Sequence, residues 1–137
     1  MQPRAQKVDN NRTEPPSELD TSNIIKAFEI ISSGAQDHDL ISQADSYLSN
    51  CELNINFPLA LIEIFGTISD SRLQWQILVH LKTLFRRNWS SKRRYYEGVR
   101  LSEEVKNEVK SKLILLYQNF WKTFHRQFND IFKVVAK

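Results

Sequence analysis

After Asp20 the chain holds one proline, Pro58, and three glycines, Gly34, Gly66 and Gly98. A many-turned β fold needs backbone breakers at each reversal, so a chain this poor in them favours long helices. The apolar residues repeat with the helical period. Ile24, Phe28 and Ile31 fall at i, i+4 and i+7, with Ile25 beside them, and Gly34 ends that helix. Asp37 can cap the next one, whose stripe is Leu40, Ala44, Tyr47, Leu48 and Cys51. Pro58 stands where a first-turn proline belongs, and Leu61, Ile62, Phe65 and Ile68 line the third helix. Asp70 or Ser71 caps the fourth. Its apolar residues, Leu73, Trp75, Ile77, Leu78, Leu81, Leu84 and Phe85, spread over a wide face.

Residues 90–100 interrupt the pattern and read as a loop. Ser102 caps a fifth helix, Glu103 and Glu104 suit its positive N-terminal dipole, and Val105, Val109, Leu113 and Leu116 form its seam. A turn is expected around Gln118 and Asn119. Trp121, Phe124, Phe128, Ile131, Phe132 and Val135 then give the sixth helix its stripe. Short connections inside each pair make the partners antiparallel. The expected fold is therefore all-α: an α-solenoid of about three antiparallel helix pairs, HEAT-like, with a compact six-helix bundle as the alternative. The wide apolar face of the fourth helix favours the solenoid, because a solenoid pair packs on two neighbours. Residues 1–20 are polar, carry Pro3, Pro15 and Pro16, and show no periodicity. They read as a disordered leader ahead of a helical domain at residues 21–137.

The net charge of +3 conceals a split: residues 1–81 carry 5 Lys and Arg against 11 Asp and Glu, residues 82–137 carry 14 against 5. A basic second half can steer an acidic partner, and it is equally what solvated helix faces carry. Cys51 is alone, so no internal disulfide is possible, which suits a reducing compartment. No apolar run approaches the roughly 20 residues of a membrane-spanning helix, and the first residues resemble no secretory signal. Cytoplasm or nucleus is the expected location.

Catalytic signals are missing. The glycines stand 32 residues apart, so they form no phosphate loop; His38, His80 and His125 lack partners at metal-ligand spacing. Cys51 lies on an apolar stripe and reads as a packed core thiol. No enzyme activity, metal or cofactor is expected. Lys92-Arg93-Arg94-Tyr95-Tyr96 could hold phosphates and stack bases, or could be a charged loop whose tyrosines pack back on the helices. The aromatics Phe120, Trp121, Phe124, Phe128 and Phe132 have the spacing of a core stripe, with part of the last pair's apolar surface expected to stay exposed.

Four segments and a fifth, weaker one bear a family likeness. They are Ala44-Asp45-Ser46-Tyr47-Leu48, Phe57-Pro58-Leu59-Ala60-Leu61, the run from Leu81-Lys82-Thr83 to Trp89, Leu101-Ser102-Glu103-Glu104-Val105-Lys106, and Arg126-Gln127-Phe128-Asn129-Asp130. In order and spacing, residues 43–137 resemble the N-terminal domain of the importin-β (karyopherin) family of nuclear transport receptors. Thr83 stands where the family's run has asparagine. The resemblance implies the first repeats of a transport receptor, which bind the Ran GTPase in its GTP state through the second helix of each pair. It also implies protein cargo, importin-α among the candidates, rather than nucleic acid or membrane. Polar stripes lie opposite the apolar ones: Asp39, Gln43, Ser46 and Asn50 on the second helix, Gln76, His80, Thr83 and Arg87 on the fourth, Lys122, Arg126, Asn129 and Lys133 on the sixth. Every amphipathic surface helix has such a wet side. The resemblance makes the fourth- and sixth-helix stripes the candidate Ran-binding residues, with Arg87 and Arg126 foremost because a guanidinium fork holds a carboxylate at two points. An RNA-binding or general scaffold module using the basic half is the alternative.

Overall fold

The computed structural model describes residues 19–34, 36–89 and 101–136. Most of the leader and the 90–100 segment, with its Lys92–Tyr96 cluster, therefore lie outside the described residues. Among the described residues the protein is all-helical: α1 Thr21–Ser32, α2 His38–Cys51, α3 Phe57–Thr67, α4 Ser71–Asn88 and α5 Glu103–Val135.

Local chemistry sets most of the boundaries. Asp20, Asp37, Asp70 and Ser102 each accept backbone N–H bonds from the first turns of α1, α2, α4 and α5, satisfying donors that have no intrahelical partner. Helix α3 has no side-chain cap; it starts on Phe57-Pro58, where the missing proline N–H costs nothing. Gly34 follows α1 at φ 76°, a conformation that a side chain would disfavour. Leu19, expected in the leader, packs against the core, and Asp20 caps α1.

The third pair differs from expectation in its turn. Helical structure runs on through Gln118 and Asn119, and the backbone leaves helical geometry at Phe124 (φ −124°, ψ 27°). Fifteen residues of straight helix would climb about 22 Å, yet the Tyr117 and Phe132 rings are 5.5 Å apart. The chain thus folds back at Phe124, and α5 is two arms, residues 103–123 and 125–135. Three antiparallel pairs result: α1/α2, α3/α4 and the two arms of α5.

The pairs stack in a row. Helix α1 packs on α3 and α4, and both α3 and α4 pack on α5, while the first and third pairs share no substantial contact among the described residues. Contact limited to neighbours is the mark of a solenoid, not of a closed bundle. Phe65 of α3, fully buried, joins the second pair to the third, meeting Phe120, Phe124 and Phe128 edge-on at 5.0, 5.6 and 6.1 Å. The late aromatic run is thus mostly core. Trp121 is the exception at 45% exposed, and Leu40 and Trp75, also read as stripe residues, are exposed as well.

Candidate functional site

Ion pairs tie the second helices of the three pairs together, with α4 in the middle. On one flank Glu52, the C-cap residue of α2, is contacted by a histidine and an arginine of α4. His80 Nε2 stands 2.7 Å from Glu52 Oε2, and Arg87 Nη2 donates to Glu52 Oε1 at 3.0 Å. On the other flank Lys82 Nζ lies 3.6 Å from Asp130 Oδ2 on the second arm of α5. His80 is further held edge-on by Phe28 and Phe57, with centroids at 5.5 and 5.9 Å.

Burial by itself pushes the Glu52 carboxyl up. The hydrogen bond and charge of His80, followed by those of Arg87, outweigh that and hold it below its ordinary range. The Glu52 side chain is 13% exposed and that of Arg87 41%. Glu52 thus serves as a charged fastener between the first and second pairs.

The eight candidate residues divide into two groups. His80 and Arg87 are committed to the seam with α2, although Arg87 keeps an exposed edge. Lys122, Arg126, Asn129 and Lys133 are all exposed, and Thr83 is exposed with its hydroxyl donating to Val79 O at 3.1 Å; Gln76 is half-buried. The open ridge of α4 runs through Arg72, Gln76, Val79, Thr83 and Arg86, at i, i+4, i+7, i+11 and i+14, with Trp75 on its flank. Sequence reasoning missed Arg72, Arg86 and Trp75. Its stripe was rotated toward α2, and it counted Trp75 in the wide apolar face of α4 on hydrophobicity alone. It also missed Glu52, whose only signal was a carboxylate at a helix C-terminus, where it is electrostatically disfavoured.

The first-helix side is different in character. Leu59 and Gly66 of α3 and Leu115 and Leu116 of α5 line an open groove of about 610 Å³, with Leu115 59% exposed. Cys51 is fully buried; burial raises its thiol above the ordinary value, only partly offset by a hydrogen bond from Tyr47, the reverse of an activated nucleophile. Among the described residues no three His, Cys, Asp or Glu side chains are grouped to hold a metal ion, and no helix is long and apolar enough to cross a membrane.

A row of helix hairpins that touch only their neighbours, with second helices on one polar face, is a HEAT-like α-solenoid built to present a surface. The chain belongs to the importin-beta N-terminal domain family, whose model matches residues 44–119, more than half of the 137 residues. The match runs from Ala44 in α2 to Asn119 in the first arm of α5 and takes in all of α3 and α4. No curated protein and no solved structure matched the chain.

Proposed function

We propose that this chain is a nuclear transport receptor module, the N-terminal region of an importin or exportin, whose second-helix face binds a Ran-type small GTPase in its GTP form. The family match across residues 44–119 carries this reading, because this domain binds Ran in importin-β receptors. The geometry of the face supports it. GTPase switch regions are ordered by the γ-phosphate, and a receptor that reads that state needs a surface that does not move with it. Helices fastened by Glu52 and Asp130 supply one. On this reading the domain takes in Leu19 and Asp20 ahead of the expected residues 21–137, with the leader preceding them, acts in nucleus and cytoplasm, and works by binding without catalysing a reaction.

Within the family, the Phe57-Pro58 start and the Arg87-Asn88-Trp89 ending resemble those of the cellular apoptosis susceptibility protein, the exporter that returns importin-α to the cytoplasm. Importin-α or another cargo as partner rests on those few residues, and the family match does not extend to it.

Immobilised chain and Ran loaded with a non-hydrolysable GTP analogue or with GDP test the proposal by biolayer interferometry. Binding at least about ten-fold tighter to the GTP form, a coupling of about 1.4 kcal/mol, is the expected result. Equal binding to both forms, or none, contradicts it. The exposed Lys122, Arg126 and Lys133 favour one rival, RNA binding. That rival predicts affinity for a single-stranded oligonucleotide that falls steeply with salt.

A further inference from the structure

We infer that Trp75 is the anchor of the recognition face, and that its partner offers an apolar spot bordered by carboxylates. This inference rests on the GTPase reading and assigns its centre. Trp75 is 42% exposed on α4, whereas Trp89, at the end of the same helix, is 4% exposed. It is not left outside by poor packing. The neighbouring Gln74 takes the interior position, where its amide Nε2 donates to Phe65 O and Ile68 O at 3.2 and 3.0 Å. Turning Trp75 inward would take Gln74 out and strip those two carbonyls of their donor, so the indole is held on the surface by the hairpin's own hydrogen bonding.

The position of Trp75 relative to charge narrows the partner. Trp75 precedes Lys82 by two helical turns and so shares its flank of α4. Lys82 reaches across that flank to Asp130, which places Trp75 on the side that turns toward the second arm of α5. The exposed cation Arg126 lies on that arm before Asp130, with Lys122 just before the arm's start and Arg72 one turn before Trp75 on the ridge. An aromatic platform among cations complements an apolar side chain among carboxylates. Tryptophan and arginine at the centre of a desolvated contact are the residue types that dominate protein interfaces. Arg87, spent on Glu52, drops from a primary contact to a supporting one.

The test uses the whole chain and Ran loaded with the GTP analogue. Trp75→Ala should weaken binding at least about ten-fold, chiefly through faster dissociation, with far-UV circular dichroism and melting temperature unchanged. Lys122→Glu with Arg126→Glu should slow association, most at low salt. Leu115→Ser, at a still more exposed apolar residue on the first-helix side, should bind as the parent does. Parent-like binding by Trp75→Ala, or an equal loss in Leu115→Ser, overturns the inference while leaving the GTPase reading standing. A parent chain that binds neither nucleotide form overturns both.

Discussion

At the residue scale, Glu52 occupies a position a carboxylate should avoid. It ends α2, where the carbonyl dipoles are negative, and most of its side chain is out of water. His80 and Arg87 reverse the balance and lower its folded-state pKa. Because that value lies below the unfolded one, Glu52 adds stability at every pH above the unfolded carboxyl's range and loses that contribution as pH falls through the folded value. Urea midpoints should therefore decline from about pH 5 downward, and Glu52→Gln should lack part of that decline. At pH 7 the same substitution should cost about 1–3 kcal/mol. Orphaning a buried pair costs about 3–5 kcal/mol, and the partly exposed Arg87 recovers some of that in water. Gln74 is the second residue of this kind: Gln74→Leu should cost about 1–3 kcal/mol in urea unfolding, because two carbonyls at the end of α3 lose their donor. Neither role was legible in the sequence. Glu52 carried no signal beyond its place after the second helix, and Gln74 went unremarked beside the apolar Trp75, since hydrophobicity cannot see which carbonyls a neighbouring helix leaves unpaired.

At the element scale, the helix starts were legible and one reversal was not. Asp37, Asp70 and Ser102 cap where capping chemistry places them, and Pro58 sits in its first turn, because these signals act within three residues. The polar Gln118-Asn119 step looked like a turn but lies on the wet face of a helical arm. The reversal at Phe124 coincides with the packing of Phe120, Phe124 and Phe128 around Phe65, a tertiary cause without a local marker. Asn119→Pro separates the two placements. A turn at Asn119 would tolerate it, whereas the continuing arm should lose about 3 kcal/mol in urea unfolding. Gly66→Ala should instead raise stability by about 0.5–1 kcal/mol. Gly66 lies inside α3, and an added Cβ would meet only Leu116 Cδ2 at 3.9 Å, an ordinary contact.

At the scale of the whole molecule, the periodicity already implied stacked pairs, and the contacts between neighbouring pairs settle the choice between solenoid and bundle. The division of faces was half legible. The stripes put Lys122, Arg126, Asn129 and Lys133 on the wet face of the expected sixth helix, and all four are exposed. For α4, flanked on both sides, period could not tell the open ridge from the seams, so His80 and Arg87 were grouped with Thr83. What results is a polar, cation-rich second-helix face and a more apolar first-helix side, and the central claim is that the former recognises a GTP-loaded GTPase. Hydrogen–deuterium exchange of the chain, with and without Ran in each nucleotide state, tests this most directly, since docking slows the local opening of the helices it covers. Slowed exchange in α4 and residues 125–135 with the GTP form alone, and none in α3 or residues 103–117, is the predicted pattern. Slowed exchange confined to the first helices, or the same pattern with GDP, would contradict it.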